Sequence, residues 1–173
     1  MEEQHIDVND PGFGAIHPSA PQALSWFAFL VGRWRCEARV LLGNDWRSFG
    51  GSWVGRYILD GYAIEDEFRI TGAAGEVIVL GISIRSYDAA HQSWHMKWLN
   101  AAGAWTDLGP EELGGVRFEG ESITYTYKEP VAGHGLTRAT FSDISDLHFS
   151  WRGEMSEDGV NWTEFIRVEG VRE

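Results

Sequence analysis

Trp34-Arg35-Cys36-Glu37-Ala38-Arg39-Val40 decides the fold. Every second residue is apolar and those between are charged, the period-two pattern of a strand with one dry and one wet face. Trp34, Cys36, Ala38 and Val40 are therefore expected to point inward. Just upstream, Pro21-Gln22-Ala23-Leu24-Ser25-Trp26-Phe27-Ala28-Phe29-Leu30 carries apolar residues at helical spacing, with proline where a first helical turn tolerates it. One short helix is expected there, ended at Gly32. Residues 1–20, with Asn9-Asp10-Pro11-Gly12 and His17-Pro18, show little periodicity and read as an arm lying on the surface or on a partner.

Downstream the alternation continues in Ser52 to Leu59, Tyr62 to Ile70, Val77 to Tyr87, Ser93 to Asn100, Val116 to Glu119, Ser122 to Lys128, Leu136 to Asp143, Leu147 to Met155 and Trp162 to Val171. The separators are turn chemistry: Asp60-Gly61, Gly72-Ala73-Ala74-Gly75, Asp88-Ala89-Ala90, Ala102-Gly103, Gly114-Gly115, Gly133-His134-Gly135 and Asp158-Gly159. Connections this short leave no room for crossover helices, so neighbouring strands should pair antiparallel. About ten such strands must close or split into two sheets to hide their edges, and closure is the simpler answer. The expectation is an all-β, up-and-down antiparallel β-barrel over residues 21–173, preceded by the arm of residues 1–20.

Composition bounds the function. The chain has 173 residues, 43% hydrophobic and 23% charged, and no tract long and apolar enough to span a bilayer as a helix. Fourteen basic residues against 26 acidic ones leave a net charge of −12, which disfavours nucleic acid and anionic membranes as partners. The acidic, polar start and the lone Cys36 make the cytoplasm the expected compartment. Nine Trp and 21 Gly suit a strongly curved sheet, in which glycine permits bends and aromatics fill the interior.

The run from His17-Pro18 through Phe29-Leu30-Val31-Gly32-Arg33-Trp34 resembles the opening of nitrobindin-like and related lipocalin-like (calycin) domains. Ser86-Tyr87-Asp88, Trp94-His95-Met96-Lys97-Trp98 and the terminal Arg172 are similar to a bacterial branch of the same group. The resemblance implies a barrel with an internal cavity, closed at one end by the N-terminal helix. It also implies, for nitrobindin, haem held on a histidine shortly before the terminal arginine. Here Phe165 stands at that position, and no histidine follows His148, so no cofactor is carried over.

Asp66 draws attention first. In the alternation Tyr62, Ile64, Asp66, Phe68, Ile70, counting by twos sends its carboxylate inside, where it would serve as a general acid or base or be spent in a salt bridge to an inward arginine, unless a bulge turns it outward. Trp94, Met96 and Trp98 share one face and form either an aromatic wall against a planar ligand or ordinary core. His95 lies opposite them. His148, Ser150, Arg152 and Glu154 form a polar row that is a solvated outer face or, if interior, an acid-base set. Tyr125 and Tyr127 share a face from which a hydroxyl could orient a ligand. The expected catalytic candidates are thus Asp66, His95 and His148, and the expected ligand contacts are Trp34, Tyr57, Tyr62, Ile64, Phe68, Trp94, Met96, Trp98, Tyr125, Tyr127 and Trp151. No metal-ligand spacing, phosphate loop or nucleophile elbow is found. Three functions follow: a binder of a small apolar or aromatic molecule, a cofactor-independent lyase, isomerase, hydratase or cyclase acting on one, or a solidly packed barrel whose arm pairs two copies as a homodimer.

Overall fold

The computed structural model describes residues 12–108, 115–127 and 135–173. Eleven strands form one antiparallel sheet: β1 (Gly32–Leu42), β2 (Asp45–Ile58), β3 (Ala63–Thr71), β4 (Val77–Asp88), β5 (Ser93–Asn100), β6 (Trp105–Asp107), β7 (Val116–Glu119), β8 (Ser122–Tyr127), β9 (Leu136–Ser142), β10 (His148–Ser156) and β11 (Thr163–Arg172). Their order, β6-β5-β4-β3-β2-β1-β11-β10-β9-β8-β7, joins the first strand to the last. An antiparallel bridge between Leu108 and Tyr127 brings the two ends of the sheet together, so it curls into a barrel. The strand count exceeds the expected ten because of the three-residue β6, and β2 begins at Asp45, seven residues before the alternation becomes clean at Ser52. Lys128, the Gly114 turn position, Gly133, His134 and the first 11 residues of the arm lie outside the described residues.

Strand β1 alternates as its sequence demands, with Trp34, Cys36, Ala38 and Val40 buried and the charged residues between them exposed. Its register against β2 and β11 places Trp34 beside Trp53 and Cys36 beside Gly170. The helical segment is a 3₁₀ helix, Gln22–Leu30. With three residues per turn, Leu24, Phe27 and Leu30 fall on one edge, and all three are completely buried. Such a helix is poorly stabilised by its own hydrogen bonds, so its tertiary contacts hold it. Phe27 meets Trp94 edge-on at 5.0 Å, and Phe29 meets Phe141 at 5.2 Å and Phe149 at 5.8 Å.

Arg172 fastens that plug. Its guanidinium lies 4.1 Å from the Trp34 ring and donates to the carbonyls of Phe29, Val31 and Asp146. Trp34 Nε1 donates to the Leu30 carbonyl at 3.2 Å. The described part of the arm covers the β2–β3 turn: the Tyr57 N–H donates to the Phe13 carbonyl and the His17 N–H to the Gly61 carbonyl. Gly61 sits at φ +91°, and a Cβ there would collide with the backbone of residues 15–17, so glycine is what lets the arm lie down.

Candidate functional site

Opposite the helical plug, at the β4-start and β5-end side of the barrel, the sheet encloses a cavity of about 420 Å³, partly open to solvent. Its inner wall is aromatic. Trp53 and Phe68, cross-strand partners on β2 and β3, stack at 4.4 Å, and Trp151 on β10 packs edge-on against Trp53 and tilted against Phe68, 5.6 Å from each. Trp98 comes from β5 and Phe165 from β11. The remaining apolar wall is built by Val77 to Leu80 at the start of β4, by Ala101 and Ala102 after β5, and by Ala139 and Ile166.

The polar side chains on this wall are Ser83, Asn100, Tyr125, Tyr127 and Thr137. Asn100 holds the β5–β6 turn, its side-chain oxygen accepting from the N–H groups of Ala102 and Ala104 at 2.9 and 3.1 Å. Burial, reinforced by neighbouring Tyr125 and Asp66, pushes the Tyr127 phenol well above the ordinary tyrosine value, against the opposing pulls of Arg85 and Ser83. The phenol therefore keeps its proton over the whole physiological range.

Beneath the aromatic wall sits a fully buried ion pair. Asp66 on β3 accepts from Arg85 Nε at 2.8 Å and Nη2 at 3.2 Å, and from Trp53 Nε1 at 2.8 Å. Arg85 lies 4.7 Å from the Phe27 ring and 5.4 Å from the Tyr125 ring. Burial works against its charge, but Asp66 and the two tyrosines outweigh burial and hold its proton more tightly than in water. Asp66 does point inward, as parity requires, and the inward arginine considered beside it is Arg85. Both carboxylate oxygens are engaged, so this group is arranged as a structural acceptor rather than a free base.

The other sequence candidates separate by location. Phe68, Trp98, Tyr125, Tyr127 and Trp151 all border the cavity. Trp34 and Ile64 are buried elsewhere in the core, and Met96 is buried without reaching the cavity. Trp94 packs under the plug against Phe27 and Trp26. Tyr57 pairs with Ile64 near the arm, and its phenol is raised by partial burial. Tyr62 precedes β3, is exposed, and stacks on His17 at 4.5 Å; Leu59 and Asp60 take left-handed backbone there, which breaks the inward parity that the alternation suggested. His95 is exposed on the outer face, and His148 also faces outward, its Nε2 3.0 Å from the Glu169 carboxylate. Sequence reasoning missed Trp53, Ser83, Phe165 and the β4 segment from Val77, because the alternation of β4 places Ser83 and Arg85 inside while Ile82 and Ile84 lie on the other face.

Among the described residues the donor set does not suit haem: Phe165 reaches the cavity but offers no ligand atom, His148 is turned to the outside, and the Tyr127 phenol on the wall is held protonated. Among the described residues no cluster of His, Cys, Asp and Glu could hold a metal ion.

No family model matches the chain, and no curated protein matches it in sequence. Among solved structures it is similar to Rv2717c from M. tuberculosis, at 11% identity over 89% of this chain and 99% of that one, with a TM-score of 0.58. At that identity the likeness shows the β-barrel fold alone. Two redesigned β-barrels, one of them bound to DFHBI, align over 84% of the chain at 11% and 12% identity, covering 93% and 96% of their own lengths, with TM-scores of 0.43 and 0.41.

Proposed function

We propose that this barrel binds a small hydrophobic or aromatic molecule in its cavity. One observation carries the reading: a preformed space of about 420 Å³, in the size range of small-molecule sites, walled by Trp53, Phe68, Trp98, Trp151 and Phe165 with hydroxyls at its inner end. Large rings supply contact area at low entropic cost, and a few polar groups fix orientation. The volume also counts against a solidly packed barrel. Proton-transfer chemistry has less to support it, since no free carboxylate or imidazole borders the cavity among the described residues. The helical plug and the arginine clamp on Trp34 support the resemblance to nitrobindin-like domains as architecture.

Three of the wall residues are tryptophans, so binding reports itself. Titration with a panel of planar aromatic and long-chain aliphatic compounds should give saturable quenching of tryptophan fluorescence by some aromatic members. Native mass spectrometry of protein purified from its own host should show a retained small molecule, and would also reveal whether two copies pair. No saturable quenching by any compound, together with a bare mass, would end the reading.

A further inference from the structure

We infer that the cavity, read as a binding site, is selective for an uncharged, flat molecule that presents a hydrogen-bond acceptor to the Tyr127–Ser83 hydroxyls at its inner end, and that it rejects carboxylated relatives of the same ring system. This rests on the binding reading above and specifies the ligand class.

Charge is the first argument. None of the described residues bordering the cavity carries a formal charge. The buried cation Arg85 does not border the cavity and is paired through two bonds to Asp66, a carboxylate also held by Trp53, with only the Arg85 Nη1 left without a partner. A ligand carboxylate would enter an apolar space with no counter-ion, inside a protein of net charge −12. Burying an unpaired ion costs several kcal/mol, so such a ligand stays in water.

Hydrogen-bonding polarity is the second argument. Tyr127 and Ser83 both border the cavity, and each carries a hydroxyl proton that can be donated to whatever occupies the space. Buried donors without acceptors are costly, and a ligand that brings a carbonyl or ether oxygen relieves that cost where a pure hydrocarbon does not. The phenol stays a donor because its environment opposes ionisation.

Shape is the third. Trp53 stacks on Phe68 at 4.4 Å, and Trp151 meets both at 5.6 Å, so these rings hold one another in a rigid aromatic wall, against which a flat ring keeps more contact than a coiled chain.

The test is a matched trio sharing one ring system: 9-fluorenone with an acceptor oxygen, fluorene without one, and fluorene-9-carboxylate. Affinities for the purified protein are measured by tryptophan quenching and checked by equilibrium dialysis. Fluorenone should bind about 3- to 10-fold more tightly than fluorene, the range of one neutral hydrogen bond, and at least tenfold more tightly than the carboxylate. Tyr127→Phe, confirmed as folded by its thermal transition, should bring the fluorenone-to-fluorene ratio close to one. Equal binding of all three would overturn the selectivity while leaving a binding barrel in place. Preferred binding of the carboxylate would do the same and would point to Arg85 as an anion partner. Failure of all three to bind overturns both the selectivity and the binding reading beneath it.

Discussion

Arg85→Met tests the logic of the interior most directly. Asp66 and Arg85 are both fully buried and joined by bonds of 2.8 and 3.2 Å, with a third bond from Trp53 to the carboxylate. Removing the guanidinium leaves a buried carboxylate whose compensation shrinks to one indole N–H. Breaking one side of a buried pair costs about 3–5 kcal/mol, and at about 2–4 °C per kcal/mol for a chain of this length the melting temperature should fall by about 6–20 °C. Asp66→Leu should cost a similar amount, because it strands the guanidinium and also the Trp53 N–H. The double variant Asp66→Leu with Arg85→Met removes both charges while keeping apolar volume, and should melt above either single variant. Thermal unfolding followed by tryptophan fluorescence measures all of this. Single variants costing less than about 1 kcal/mol, or a double variant melting below both singles, would refute the claim that the pair is desolvated and mutually dependent.

Gly81→Ala should cost about 1–3 kcal/mol and weaken ligand quenching, because the added Cβ would lie 2.6 Å from both Trp98 Cη2 and the Leu99 carbonyl oxygen, pushing the indole into the cavity; denaturant unfolding and a ligand titration read the two effects. Burial, reinforced by Glu173, pushes the Cys36 thiol from 9.0 up to about 12. With folded-state values above unfolded ones for both Cys36 and Tyr127, their stabilisation is complete below about pH 9 and drains as pH rises toward 12, so stability should fall across that window and Cys36 should resist thiol reagents in the folded chain; rapid labelling at ~pH 8 would contradict its burial. Arg172→Ala should cost about 2–4 kcal/mol and expose residues 22–30 to proteolysis, since the bonds to the Phe29, Val31 and Asp146 carbonyls disappear together with the contact on Trp34; Arg172→Lys should recover less than half, lacking the planar fork.

Much of the barrel is written in period-two alternation, and the parity of β1 and the inward turn of Asp66 follow from it directly. The candidate site is written less openly, for reasons visible in particular strands. Trp94, Met96 and Trp98 share one face of β5, yet the strand runs from the plugged end to the cavity end, so Trp94 packs on Phe27 while Trp98 borders the empty space. Sequence spacing fixes which face a residue occupies but not its height in the barrel. Height depends on where the helix enters, and that is a long-range property. Tyr62 fails for a local reason, because the left-handed Leu59 and Asp60 begin β3 one residue later than the alternation suggests.

Strand β4 explains why the cavity itself was illegible. Its inward residues are Gly81, Ser83 and Arg85, while Ile82 and Ile84 face the other way, so a hydrophobic count assigns the strand the wrong inside. The register sets Gly81 opposite Phe68 and Ser83 opposite both Asp66 and Trp98. Across the barrel, Ala139 pairs with Tyr125, and Gly153, beside a register shift in β10, leaves room for Phe165 and Ile166. A packed interior tolerates almost no vacant volume, so a void of this size requires small residues placed opposite large rigid ones whose shapes cannot collapse into it. Filling it should therefore stabilise the chain as it abolishes binding. Ser83→Leu is the sharpest form of that argument: it adds apolar volume at the inner end of the cavity and removes a hydroxyl from its wall. A variant that lost quenching by ligands and kept or raised its melting temperature would mark the space as retained for an occupant, whereas a variant that unfolded would mean that Ser83 is held by packing and that the void is too shallow to accept a side chain.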